Sequence, residues 1–315
     1  MKNETKSPQI PPKLALIFGI LAVSAASIFV RYAQVEASSL VIAGYRLGIA
    51  TLILAPLMYV RHRHELRSLS RQDLLLGLLS GVFLAIHFAT WITSLEFTTV
   101  ASSVVLVTTT PLWVAILSPV LLKESITRQI AFGLVIATAG TVVIGLSDVC
   151  NVTESLSCPP LLKFFEGKAI FGDFLALVGA WAAAGYMIIG RNLRPKLSLI
   201  PYIFIAYGTA AVILVGLMFG RGLQMFGFSS EIYLWLILLA VVPQLLGHST
   251  FNWALGYLPA AFVAIALLGE PIGSTILAYF LLSEVPTLLT LFGAILILAG
   301  ILIASQNETS DDEEY

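Results

Sequence analysis

Charge is scarce in this chain: Asp, Glu, Lys and Arg make up 11% of its 315 residues, while 58% are apolar. A soluble domain carries about 25% charged residues, because its surface must face water. A surface of that kind is excluded, and the mean hydropathy of +0.94 says the same. No basic surplus exists either. The net charge of −1 argues against nucleic acid as a partner, which would favour a basic patch.

Cysteine is almost absent. Cys150 and Cys158 share one polar stretch and lack the His or Cys companions of a zinc site. No G-x-S-x-G, H-E-x-x-H, phosphate-binding loop or paired acidic metal motif occurs. His62 and His64 lie in a basic loop, where solvation accounts for them. No metal, no cofactor and no catalytic residue are therefore expected. An intramembrane enzyme is the least favoured class.

What fills the chain is apolar runs. A bilayer core needs about 20 apolar residues per helix. Ten segments qualify: 14–30, 40–60, 74–95, 101–122, 130–146, 170–190, 201–220, 232–255, 260–282 and 288–304. The period-2 alternation of a membrane barrel is missing. The expected fold class is an all-α membrane protein with ten transmembrane helices. Ala22-Val23-Ser24-Ala25 offers a rival reading of the first segment as a cleaved signal peptide. The apolar run continues to Val30, and cleavage would leave the first half one helix short.

Orientation follows from Lys and Arg. With the N-terminus inside, the cytoplasmic segments hold Lys2, Lys6, Lys13, Arg61, Arg63, Arg67, Arg71, Lys123, Arg128, Arg191, Arg194 and Lys196. The opposite side receives Arg31, Lys163, Lys168 and Arg221. Both termini are thus expected in the cytoplasm of a plasma or inner membrane. The loop with Cys150 and Cys158 then faces outward, where an oxidising compartment would permit a disulfide. In a eukaryotic host Asn151-Val152-Thr153 reads as a glycosylation sequon. The acidic end Asp311-Asp312-Glu313-Glu314 reads as a solvated tail.

The chain also repeats itself. A gapless shift of 160 residues lays 94–145 on 254–305. It matches Leu95 with Leu255, Ala101 with Ala261, Pro111 with Pro271 and Glu124 with Glu284. Thr127, Phe132, Gly133 and Ala139-Gly140 match Thr287, Phe292, Gly293 and Ala299-Gly300, and Leu57-Met58 falls on Leu217-Met218. Five helices per copy is an odd number, so the second copy enters the membrane upside down. Inverted repeats allow inward-open and outward-open states with a site near the midplane.

These residues resemble the drug/metabolite transporter superfamily, and within it the EamA-type transporters. The resemblance is carried by Thr110-Pro111-Leu112 with Leu121-Leu122-Lys123-Glu124, and by Gly269-Glu270-Pro271 with Leu281-Leu282-Ser283-Glu284. Thr98-Thr99-Val100-Ala101, Leu258-Pro259-Ala260-Ala261 and the position of Arg46 fit as well. The resemblance implies two five-helix repeats and export of small metabolites, amino acids or drugs. It divides the chain into a cytoplasmic segment 1–13, EamA-like repeats 14–146 and 170–304, an outer loop 147–169 and a tail 305–315.

Several polar residues lie inside the helices. Glu270 sits deep in the ninth, where an ionised carboxylate costs about 2.5–3.5 kcal/mol on insertion scales. Pro271 frees the carbonyl of Leu267, and Pro111 that of Val107, so both helices should break. Arg46, in the second helix, could hold an anionic group of a solute or pair with Glu270. Gln244, His248 and Asn252 share one face of the eighth helix, with Trp253 adjacent and a kink expected at Pro243. His87 and Trp91 share a face of the third. Such stripes suit a pocket for a small solute and a coupling proton or ion. The bland reading is interhelical hydrogen bonding, worth about 0.6 kcal/mol per contact. Tyr186 and Trp181 are weaker candidates. With no ATP site, uphill transport would draw on an ion gradient or exchange; the alternative is a passive channel or facilitator.

Overall fold

The computed structural model describes residues 8, 10–98, 100–147, 168–282 and 285–306. Cys150, Cys158, Glu284 and the acidic tail lie outside the described residues. Helices account for all regular structure among the described residues. In a hydrocarbon solvent that is the expected outcome, because a helix satisfies its own backbone polar groups.

Eight helical segments are long and apolar enough to cross a membrane. Labelled in chain order with the others, they include α1 (Pro12–Ala33), α2 (Ser39–Arg67) and α3 (Arg71–Ser94). Next come α4, in two halves Val100–Val107 and Thr110–Leu121, and α5 (Arg128–Ser147), which contain the shorter apolar stretches Val105–Leu121 and Arg128–Ile144. The rest are α6 (Lys168–Leu193), α7 (Leu199–Gly220), α8 (Ser230–Ala254), α9, in halves Ala260–Leu267 and Glu270–Leu282, and α10 (Leu288–Ser305). Local sequence explains several starts. Ser70, Ser229 and Thr287 cap α3, α8 and α10 by accepting the N–H of Asp73, Ile232 and Thr290.

The breaks in α4 and α9 fall at Thr108-Thr109 and Leu268-Gly269, positions 160 residues apart. Each precedes a Thr-Pro or Glu-Pro pair that opens the second half-helix. Proline has no N–H to give the preceding turn. In α4 the carbonyl of Val107 is satisfied instead by the Thr110 hydroxyl, at 2.8 Å. In α8 the backbone widens into a π-helical stretch over Ala240–His248, around Pro243.

Packing follows the same register. α3 lies on α6 and α8 on α1; α4 lies on α6 and α9 on α1; α7 lies on α3 and α2 on α8. Each second pair is the first with every helix moved five places along the chain, the count returning to α1 after α10. Even the tight contacts correspond. A Cβ on Gly179 would meet Thr90 and Trp91 at 3.2 and 3.3 Å, and one on Gly19 would meet Thr250 and Phe251 at 3.2 Å. Adding 160 to Thr90 and Trp91, and subtracting 160 from Gly179, converts the first set of positions into the second.

In the α5–α10 pair the backbones of the two halves meet directly. A Cβ on Gly133 would lie 2.4 Å from the Gly300 carbonyl oxygen, and one on Gly140 would lie 2.6 Å from that of Gly293. The early glycine of each helix meets the late glycine of the other, so the two run antiparallel. Small residues let backbones meet where lipid supplies no hydrophobic drive.

Candidate functional site

A cavity of about 100 Å³, measured for the centre of a water-sized sphere, lies among α1, α2, α3, α4, α6, α8 and α9. That is room for more than one water, since a single one needs about 10–15 Å³ on this measure. Both helix breaks open onto it, through Thr108, Thr110 and Pro111 from α4 and Leu267, Leu268 and Glu270 from α9.

Arg46 is on its wall and is only 1% exposed. Its Nε donates to Gln244 Oε1 at 2.7 Å, and its guanidinium carbon lies 4.4 Å from the centre of the Phe88 ring. Arginine can only donate, so the amide oxygen of Gln244 must be the atom facing it. Nη1 and Nη2 of Arg46 have no hydrogen-bond partner, and neither does Gln244 Nε2. A buried cation left with free donors is costly, by several kcal/mol in effective terms.

Glu270 opens the second half of α9 and lines the same cavity. Its backbone oxygen accepts from the Ser24 hydroxyl at 3.1 Å. Among the described residues no ion pair joins its carboxylate to Arg46. The sequence-level alternative of an Arg46–Glu270 pair therefore gives way to an Arg46–Gln244 bond. α8 brings the Gln244 oxygen to the guanidinium, while Glu270 lies on the wall of the same cavity.

His87 and Trp91 line the cavity with their rings stacked at 5.9 Å. His87 Nδ1 lies 2.9 Å from the Gly179 carbonyl, which only accepts, so that nitrogen carries a proton. Trp91 Nε1 is buried without a partner. From α8, His248 and Asn252 reach the wall, and His248 meets Phe88 edge-on at 5.5 Å. Asn252 Nδ2 donates its two hydrogens to the Tyr186 hydroxyl at 2.5 Å and the His248 carbonyl at 2.8 Å, with the Tyr207 hydroxyl a shared, longer acceptor at 3.3 Å. Tyr207 continues to Ser249 at 3.2 Å, and Tyr202 meets Ser80 at 2.8 Å. Trp253 stands apart from the cavity, packed on Tyr257 with ring centres 4.8 Å apart. Pro271 is buried at the break without lining the wall, whereas Pro111 lines it. Trp181 is half-exposed and packs on Trp113.

Phe88, Tyr207 and Ser249 were not singled out from sequence. One signal was present for Phe88, which stands 160 residues before His248 and touches it. Tyr207 and Ser249 offered none, because hydroxyls on apolar helices are common.

The Arg-rich end of the bundle is tied shut around Glu124. Lys123, at φ 60°, takes the left-handed conformation that ends helices and turns Glu124 inward. Arg191 Nε donates to Glu124 Oε1, and the Ala260 N–H donates to Oε2 at 3.1 Å. Arg191 Nη1 donates to the Leu255 carbonyl at 2.9 Å, so α4, α6 and the α8–α9 turn are joined. Arg194 donates to the Asn252 carbonyl at 2.9 Å beside them. At the opposite end Glu36 accepts the Ser229 N–H at 2.9 Å and Tyr45 donates to the Met225 carbonyl at 2.7 Å.

A bundle of helices apolar enough to cross a membrane, around a partly polar cavity, is the architecture of a multi-pass membrane protein. Comparison with known proteins gives the particular family. Residues 12–146 and 170–306 each match the model of the EamA-like transporter family, and the chain belongs to it. Two uncharacterized transporters of Archaeoglobus fulgidus are 27% and 28% identical, over 94% and 92% of this chain and 97% and 94% of theirs. The uncharacterized transporter YdfC of Bacillus subtilis is 24% identical over 62% of this chain and 59% of its own. A solved crystal structure superposes with a TM-score of 0.73 at 15% identity, covering 96% of this chain and 99% of that one; it shares the fold.

Proposed function

We propose that this transporter has ten membrane-spanning helices in two inverted five-helix repeats, and that it exports a small metabolite, amino acid or drug by alternating access. The central cavity is the solute site, and both termini are cytoplasmic. One observation carries the reading: a buried, half-partnered guanidinium faces a cavity bounded by both halves, at their two matched helix breaks. Irregular backbone at membrane depth is tolerated where it lines a cavity. The antiparallel meeting of Gly133 with Gly300 and Gly140 with Gly293 supports the inversion, because helices of one pattern there run in opposite directions.

The Glu124–Arg191 tie closes the end that the Lys and Arg bias assigns to the cytoplasm. Opening to that side requires it to part. Exchange of such ties is how a bundle alternates without ever forming a continuous pore. Purified protein in liposomes should show saturable uptake of a metabolite that is stimulated by the same solute on the other side. Conductance that rises linearly without saturation would replace this reading with a channel, and chemical change of a lipid-like substrate would replace it with an enzyme.

A further inference from the structure

We propose that the carried solute bears a carboxylate, gripped at two points by Nη1 and Nη2 of Arg46; this rests on the cavity being the transport site. A guanidinium offers two edges to a planar oxyanion, one through Nε and one through the paired Nη atoms. The Nε edge is taken by Gln244, and one face of the group is covered by Phe88. The Nη edge remains, its plane fixed, with no protein partner. Gln244 and Phe88 are therefore positioning residues, and Arg46 is the anchor.

The rest of the wall sets the other properties of the solute. Among the described residues Arg46 is the only Lys or Arg on it, so a single negative charge is matched and a dianion is not. Leu84, Phe88, Trp91, Phe251 and Leu268 make most of the remaining surface apolar, which suits an apolar body. Trp91 Nε1, buried and unpartnered, can donate to one further acceptor on that body. Glu270 faces the same space and takes either a proton or the amino group of a zwitterion. Two sources of the carboxylate follow: a simple organic acid and an amino acid.

The test uses the full chain in lipid nanodiscs and matched pairs of probes. These are 4-methylpentanoate with its amide, 3-phenylpropionate with its amide, leucine with leucinamide and phenylalanine with phenylalaninamide. Thermal stabilisation should favour an acid over its amide by roughly tenfold or more in half-saturating concentration, the worth of at least one hydrogen bond to a charged group. Arg46→Lys keeps the charge but loses the fork, and should reduce that preference to about twofold. Should that variant fail to fold, the wild-type comparison of acid with amide decides alone. Binding of the simple acids and of the amino acids alike says the carboxylate suffices; binding of amino acids only says Glu270 holds the amine. Either supports the assignment. It is overturned if no acid in the panel binds, if an amide binds as well as its acid, or if a folded Arg46→Lys protein keeps the full preference. Saturable counterflow of a neutral or cationic solute that no acid competes with overturns it and leaves the transport reading standing. An acid that binds but never crosses a liposome membrane leaves Arg46 a carboxylate site and overturns both the transport reading and the claim that the acid is carried.

Discussion

Single residues carry the sharpest expectations. Glu270 is matched by uncharged Thr110 in the first half, so the carboxylate was placed on one side of the cavity only. Pro271 accounts for the helix break without it, because proline alone removes the backbone donor. Gln is nearly isosteric with Glu but cannot ionise. Glu270→Gln should therefore insert and fold as the parent does, yet lose transport or its pH dependence. Uptake over a pH series, beside expression and thermal stability, checks this; parental uptake from a stable variant would leave Glu270 structural.

Glu36 gives a second pH expectation, outside the bilayer. The backbone N–H of Ser229, then its hydroxyl, hold the carboxyl below its ordinary value of 4.5. A group lowered in the folded state stabilises it fully above the unfolded value and stops doing so as pH falls through the folded one. The bond between the α1–α2 turn and the start of α8 should thus loosen below about pH 4.5. Amide exchange at Ser229, corrected for intrinsic rate, should rise there in the parent and be pH-independent in Glu36→Gln. Equal profiles in both would refute it.

At the scale of helices, the α5–α10 seam is a backbone contact with no room for a methyl group. A Cβ at Gly133 would sit 2.4 Å from a backbone oxygen, which cannot swing away as a side chain can. Gly133→Ala should lower stability by about 1–3 kcal/mol, the usual cost of overpacking. Gly48 in α2 meets nothing within 4 Å and serves as the control. Gly48→Ala should stabilise by about 0.5–1 kcal/mol through helix propensity. Thermal denaturation in one detergent compares them, and equal midpoints would show that the seam can part without cost.

For the whole molecule, orientation and redox state meet in Cys150 and Cys158, which are expected to form a disulfide in the outer loop. An impermeant thiol reagent on intact cells should label them only after reduction. Labelling without reductant would show free thiols, and labelling only after permeabilisation would invert the topology.

Much of the architecture was legible in the chain itself. Apolar runs can only become helices in lipid, and Pro111 and Pro271, matched at the 160-residue register, marked breaks that fall two to three residues earlier, at Thr108-Thr109 and Leu268-Gly269. These are local or periodic properties, written along one stretch of backbone. The site was not, because its partners are distant in sequence. Arg46 and Gln244 are 198 residues apart, and Asn252 and Tyr186 are 66 apart. Adjacency even misled: Trp253 follows Asn252, but one residue turns a helix by about 100°, which carries its ring off the cavity and onto Tyr257. Sequence determined that a cation and a carboxylate would be buried among helices. Only the tertiary packing decided that they face one cavity without a direct ion pair, since the side chain that bonds Arg46 depends on how α8 and α9 cross it.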